Sequence, residues 1–302
     1  MKHVRNFSSQ LSKTSFDDTV DRLSITISAL EVFSKFIQKD TSTTITSFSN
    51  SFWKARDVLF SSRTNDPLLS NALLFSSKKV FSQHTVSRAK SVAILQIHEA
   101  INHIKKISDK ISHFSYHKIP KGGTIFVHGC DPLILHALLS THKRGKKFNV
   151  VLTESRVTSS GQRCALLLSK AGIPITFFAD CELPSALHSV DVVFFGSYIV
   201  DSKTVLCTSG TNALLEQARL RNIPAYLFTP SWSFDTAEEL IKSIHSSNVP
   251  NTIWSSPPRG VSVIAPQYNI VSGAFISAII SDIGIFPFLL FKDEILKTNE
   301  IK

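Results

Sequence analysis

Apolar residues in the first third of the chain recur at helical spacing. Val20, Leu23, Ile25, Ile27, Leu30, Phe33 and Ile37 form one stripe, which Asp40-Thr41-Ser42 ends. A second helix is predicted over Ile45 to Phe60, with Pro67 in the loop after it. Val92, Leu95, Ile97, Ile101, Ile104 and Ile111 then mark a longer helix whose wet side carries Lys105, Lys106, Asp109 and Lys110. Pro120-Lys121-Gly122-Gly123 punctuates the chain, and the period changes. Short apolar runs (Thr124–Val127, Phe148–Leu152, Ile175–Ala179, Val192–Phe195, Ala225–Phe228) alternate with helical stretches near Pro132–His142, Gly161–Ala171, Pro184–His188 and Thr211–Arg221. Strands that are apolar on successive residues and spaced by helices predict a parallel sheet covered on both faces. The expected fold class is α/β: a helical N-terminal domain, residues 1–119, followed by a Rossmann-like doubly wound parallel sheet domain, residues 120–302.

The most apolar long stretch, Ile270 to Phe291, is interrupted by Ser272, Ser277, Ser281, Asp282 and Pro287. It reads as a core helix and its exit, and no membrane span is expected. Its surplus of apolar residues (Ile276, Ile279, Ile280, Ile283, Ile285, Phe286, Phe288) predicts homodimerisation through this half. Met1 to Lys13 has no apolar core of a secretory signal. Cys130, Cys164, Cys181 and Cys207 lie far apart without a C-x-x-C pair, which fits free thiols in a reducing cytosol. His113 and His117 share a helical spacing but lack a third ligand, so no metal is expected. The absence of G-x-G-x-x-G leaves dinucleotide binding unsupported, and no cofactor is expected.

Charge changes the picture little. The chain has 33 Lys and Arg against 23 Asp and Glu, a net +10, which raises the question of a nucleic-acid or acidic partner. The densest cluster, Lys143-Arg144-Gly145-Lys146-Lys147, sits between a helical stretch and a strand. Basic residues in a last turn and Gly just beyond it are what a helix end requires. No RNA-binding signature with stacking aromatics accompanies them, so nucleic acid is not the expected partner.

The chemistry-bearing residues collect where open α/β sheets place ligands, at the carboxyl ends of strands. Val150-Val151-Leu152-Thr153-Glu154-Ser155-Arg156, followed by Gly161, is a buried strand running into a polar loop and a helix. Gly122-Gly123-Thr124-Ile125-Phe126-Val127-His128-Gly129-Cys130 precedes it. Ala171-Gly172-Ile173-Pro174-Ile175-Thr176, Val190-Asp191-Val192-Val193-Phe194-Phe195-Gly196 and Ser209-Gly210-Thr211-Asn212-Ala213-Leu214 follow, and then Ala265-Pro266-Gln267-Tyr268-Asn269 and Ser281-Asp282-Ile283-Gly284. Together, from Gly122 to Glu294, these segments resemble the initiation factor 2B α/β/δ subunit family and its sugar-phosphate isomerase relatives, which act on methylthioribose 1-phosphate or ribose 1,5-bisphosphate.

The resemblance implies a Cys and an Asp wherever a member isomerises sugars, since a thiol and a carboxylate together move protons between adjacent carbons. Here the Cys position falls on Gly129, with Cys130 one residue late, and the Asp position falls on Tyr198. A phenol with an ordinary pKa of about 10 leaves no base there at neutral pH, and the nearest carboxylate along the chain is Asp201. The family's phosphate contacts are also altered: its loop Gln is Ser160 and its N-K-I-G-T lysine is Thr208. Arg156 stays in register, Gly210-Thr211 opens a helix whose N–H groups can hold an anion, and Arg63 aligns with a phosphate-binding Arg. The candidate ligand-binding set is Arg156, Gly210, Thr211, Arg63, His128, Gly129 and Ser160; for Arg156 the competing reading is a pairing with Glu154 or Asp180, and for His128 a hydrogen-bonded histidine at a strand end.

What the resemblance implies is a non-catalytic regulatory subunit acting in guanine-nucleotide exchange on initiation factor 2. Its length favours the α type, although Gly129-Cys130 followed by Leu133-Ile134-Leu135 looks closer to the δ type. Implied partners are related factor 2B subunits, initiation factor 2, a second copy of the chain, and a sugar phosphate or nucleoside monophosphate. The alternatives are a divergent isomerase using Cys130 and a stand-alone sensor of sugar phosphates or nucleotides.

Overall fold

The computed structural model describes residues 4–5, 21–63, 65–244 and 248–298. Met1–Lys13 (apart from Val4 and Arg5), Val20 and Thr64 lie outside the described residues. Four helices come first: α1 (Arg22–Gln38), α2 (Ile45–Ser62), α3 (Pro67–Ser77) and α4 (Val86–Ser115). Asp21, Thr44 and Thr85 cap α1, α2 and α4 by accepting amide hydrogen bonds in their first turns. Pro67 belongs to no loop; it opens α3, where its missing N–H would have been unpaired anyway. Ala89, Ala93, Ile97, Ala100, Ile104, Ile107 and Ile111 are buried along one face of α4. That face packs on α1 and α3 and reaches strand β9 of the sheet, so helices and sheet share one core.

The main sheet has seven strands in the order β10-β9-β7-β4-β1-β2-β3. They are β1 (Thr124–His128), β2 (Asn149–Thr153), β3 (Ile175–Phe178), β4 (Val192–Gly196), β7 (Ala225–Phe228), β9 (Ala278–Ser281) and β10 (Gly284–Phe286). All neighbours run parallel except β10 on β9. Helices α5 (Pro132–Lys143), α6 (Ser160–Lys170) and α7 (Thr211–Leu220) link them, and α8 (Phe288–Lys297) follows β10. This is the expected α/β class, a helical N-terminal region followed by a mostly parallel sheet. The chain moves outward from β1 through β2 to β3, then returns to the other side of β1 as β4. The order thus reverses between β1 and β4, and the crevice beyond their carboxyl ends is the natural ligand position.

Two elements depart from the sequence reading. A small antiparallel sheet of β5 (Ile199–Val200), β6 (Thr204–Thr208) and β8 (Tyr268–Ser272) stands beside the crevice. Ile270 to Phe291 is also no core helix: it supplies β8, β9, β10 and the first turn of α8. Ile279 and Ile280, on opposite faces of β9, are both fully buried, as a strand covered on both faces of the sheet requires. The surplus that predicted a dimer is therefore largely spent inside the chain's own core.

Buried polar contacts fasten α4 to the sheet. His103 stacks on Trp232 with ring centroids 4.4 Å apart, and its Nε2 lies 3.2 Å from the fully buried Asp282. Asp282 also accepts from the Ser231 amide (2.7 Å) and hydroxyl (3.0 Å). Burial pushes the Asp282 carboxyl up, but the bond and charge of His103 and the two Ser231 bonds outweigh it and hold it below its usual value. No described helix is long and apolar enough to cross a membrane.

Candidate functional site

A cavity of 170 Å³ opens at the carboxyl edge of β1 and β2, lined by His128, Thr153, Ser155, Arg156, Asp180 and Gly210 among others. The loop from Ser155 to Ser159 forms one wall. Both serines have left-handed backbones (φ 50° and 55°), which non-glycine residues seldom adopt. Asp180, just past β3, holds the loop by accepting from the Ser155 amide (3.0 Å) and the Arg156 amide (2.7 Å). Gly161 lets α6 start against the strand: a Cβ there would stand 1.8 Å from the Thr153 carbonyl oxygen. The Ser155 hydroxyl is buried and makes no hydrogen bond among the described residues. Arg156 is exposed at the mouth, and its guanidinium has no ion-pair partner among the described residues. Asp180 takes the Arg156 backbone instead of its side chain, so the competing salt-bridge reading is not what forms.

The other expected phosphate contacts divide. Gly210 and His128 line the cavity, and His128 Nε2 lies 3.0 Å from the Ser209 carbonyl oxygen, as a satisfied strand-end histidine would. Thr211 and Ser160 are buried beneath the surface. Thr211 Oγ1 donates to the Thr208 carbonyl (2.6 Å), and Ser160 Oγ pairs with Thr158 Oγ1 (2.8 Å). Two of the amides opening α7 already have an acceptor: Asn269 Oδ1 accepts from Gly210 (2.8 Å) and, more distantly, from Asn212 (3.5 Å). A side chain from β8 therefore occupies part of the helix N-terminus that the sequence offers to an anion. Arg63 does not line this cavity. It is buried at the end of α2, with Nε 3.3 Å from Asp66 Oδ2, and burial pulls its pKa down while Asp66 opposes the shift.

The crevice between β1 and β4 is narrow. A gap of 10 Å³ remains among His128, Gly129, Cys130, Asp131, Gly196, Ser197, Tyr198 and Thr208, and a second of 40 Å³ lies between Asp131, Ser197 and Tyr198 on one side and Arg22 and Leu68 on the other. Tyr198 is buried, its hydroxyl 3.4 Å from Thr208 Oγ1 and its ring edge-on to Tyr268 at 5.2 Å. Arg22 closes the far side by donating to the Ser197 carbonyl (3.2 Å) and to Asp66 Oδ1 (2.9 Å). Cys130 is 2% exposed and hydrogen-bonds Cys164 of α6, a contact that together with burial pushes the Cys164 thiol well up. Asp201 serves as a turn, accepting from the Lys203 and Thr204 amides (2.7 Å each) and the Thr204 hydroxyl (2.9 Å). Asp131 was missed in the sequence. It caps α5, with Oδ1 accepting from the Leu133 amide (2.8 Å). Its Oδ2 lies where a Gly196 Cβ would come within 2.2 Å, so the carboxylate packs on bare backbone. A signal existed: Asp before Pro132 at a strand-to-helix turn is a common cap pattern.

With this geometry in place, comparison with known proteins decides the lineage. The Initiation factor 2 subunit family profile matches residues 22–288. The chain belongs to that family. It is 25% identical over 304 residues to translation initiation factor eIF2B subunit alpha of Dictyostelium discoideum, covering 93% of this chain and 94% of that one. It is 23% identical over 244 residues to ribose 1,5-bisphosphate isomerase of Methanocaldococcus jannaschii, covering 80% of this chain and 78% of the relative. The same fold appears in the tetrameric eIF2B-beta2-delta2 complex of C. thermophilum, with a TM-score of 0.75, 13% identity and coverage of 97% and 93%. Family membership therefore spans both translation-factor subunits and sugar-phosphate isomerases. In this family member His103, Trp232, Asp282 and Asn269 carry structural duties, among them the capping contact that sequence reasoning did not assign.

Proposed function

We propose that this chain is a non-catalytic regulatory subunit of the initiation factor 2B α/β/δ type, acting in the cytoplasm in guanine-nucleotide exchange on initiation factor 2. One observation carries the reading: Tyr198, where the resemblance puts the isomerase carboxylate, is buried against Tyr268 and Thr208, and the nearby Asp201 is spent on a turn. The full-length likeness to an alpha subunit supports the α type. The 170 Å³ cavity is read as a remnant ligand pocket for a sugar phosphate or nucleoside monophosphate. Arg156 would meet the phosphate at its mouth, and the unpartnered Ser155 hydroxyl would donate from its wall. A homodimer through the sheet half draws on the exposed Leu289 and Leu290 of α8. Mixing the purified chain with β- and δ-type subunits of its own source, then measuring co-elution and GDP release from initiation factor 2, tests the reading. Association with an altered release rate is expected; neither would overturn it. Light scattering should give twice the chain mass, and a monomer would refute the dimer.

A second reading, a divergent isomerase, has its own support. The Asp131 carboxylate lines the same small gap as Cys130 and Tyr198. Turnover that vanishes in Cys130→Ser would favour it.

A further inference from the structure

At the opposite, amino edge of the sheet, six cations converge from four segments. Lys118 follows α4, Lys121 precedes β1, Lys143 and Arg144 end α5, and Lys146 and Lys147 lead into β2. The packing brings them together. Tyr116 lies between Arg144, whose Cζ is 3.8 Å from the ring centroid, and Lys146, whose Nζ is 4.4 Å away. Lys146 Nζ also donates to the Tyr116 carbonyl (2.8 Å), and the Gly122 amide donates to the Lys147 carbonyl (2.7 Å), which fixes the Lys121 turn beside it. Lys118 Nζ stands 5.3 Å over the Tyr226 ring.

Capping of helix ends explains Lys146, Lys143 in the last turn of α5 and, through its stack on Tyr116, Arg144. It does not explain the rest. Lys121, Lys143 and Lys147 are exposed and have no carboxylate partner among the described residues. The neighbouring Asp191 turns its Oδ2 to the Thr124 amide (2.7 Å). Repulsion is felt inside the cluster: burial and the Arg144 charge together pull the Lys146 pKa down. Holding so many like charges at one place costs free energy that an anionic partner would return.

Against the expectation from the sequence that nucleic acid is no partner, we infer that this edge binds the sugar-phosphate backbone of RNA. The apolar residues of the region, Ile111, Ile119 and Phe148, are buried, and the cations themselves cover Tyr116. An acidic protein would find no apolar anchor here, whereas a phosphate backbone needs only charge, and base stacking plays no part. The surface lies at the Thr124 and Asn149 ends of β1 and β2, and the ligand cavity at their His128 and Thr153 ends, so both can be occupied together.

The test is fluorescence anisotropy of a labelled poly(U) RNA of about 20 nucleotides, titrated with the full chain at several salt concentrations; six phosphate contacts predict a log–log salt slope of about −4. Charge reversal of the three exposed lysines (Lys121→Glu, Lys143→Glu, Lys147→Glu) should weaken binding at least about tenfold and flatten the slope by about 2. The same three changed to Gln, with melting temperature as a folding check, should weaken it less. No RNA binding at about 50 mM salt, equal affinity of the reversed variant, or displacement of RNA only by polyglutamate and not by unlabelled RNA would overturn the inference.

Discussion

Two halves of one cleft, side by side at the carboxyl edge of the sheet, have different contents. Over β1 and β2 the edge is open: a 170 Å³ cavity, a loop held by Asp180, an unpaired Arg156 guanidinium and a buried Ser155 hydroxyl without a partner. Between β1 and β4 the edge is mostly filled, Tyr198 and Tyr268 leaving two small gaps of 10 and 40 Å³. The open half combines a cation with a buried hydroxyl. The filled half has an aromatic plug and the Asp131 carboxylate, whose Oδ1 caps α5. On the proposed function, the contrast is between a half that keeps recognition and a half that has lost reaction.

The largest effect should come from disturbing the framework of the open half. Gly161→Ala drives a methyl into the Thr153 carbonyl and should cost about 3 kcal/mol, read as a lowered denaturation midpoint. A loss below about 1 kcal/mol would mean that α6 can shift without harm and that the loop is not pinned as described. Next comes a site remote from both halves. Asp282→Asn should cost about 2 kcal/mol at neutral pH by weakening the His103 and Ser231 contacts. Because the folded carboxyl is lowered, this stability is whole above the unfolded value of about 3.9 and is lost as pH falls through the folded one. Wild type and variant should therefore converge in acid, and a gap that widens there would contradict the sign.

Smaller effects separate the halves more finely. Arg156→Ala should leave the melting temperature of the free protein unchanged, since the side chain is exposed and unpaired. It should abolish a rise of about 1–2 °C given to wild type by millimolar sugar phosphate. A rise that survives the substitution would place the phosphate elsewhere. Smallest of all, Tyr198→Phe removes a hydroxyl contact of 3.4 Å and should cost less than about 1 kcal/mol, leaving the plug intact.

How much of this was legible in the sequence follows from the range of the forces involved. Helices α1, α2 and α4 and strands β1, β2, β4 and β7 announced themselves, since each repeats one local period and buries one pattern. Ile270–Phe291 did not: runs of isoleucine fit a buried strand and a buried helix equally, and the partner strands β6 and β7 decide the matter from far along the chain. Arg156, Gly210 and His128 line the cleft to which their motifs point. Asn269 capping α7 and Asp180 holding the loop were not foreseen, because each joins segments brought together only by the fold. Arg63 was placed by alignment alone, and the structure commits it to Asp66.

On the proposed function, the filled half does not isomerise what the open half binds. Incubating the purified chain with ribose 1,5-bisphosphate and, separately, methylthioribose 1-phosphate, while following product and melting temperature in the same samples, tests it directly. The account predicts a small rise in melting temperature and no product. Product formed by wild type and lost in Cys130→Ser would contradict it.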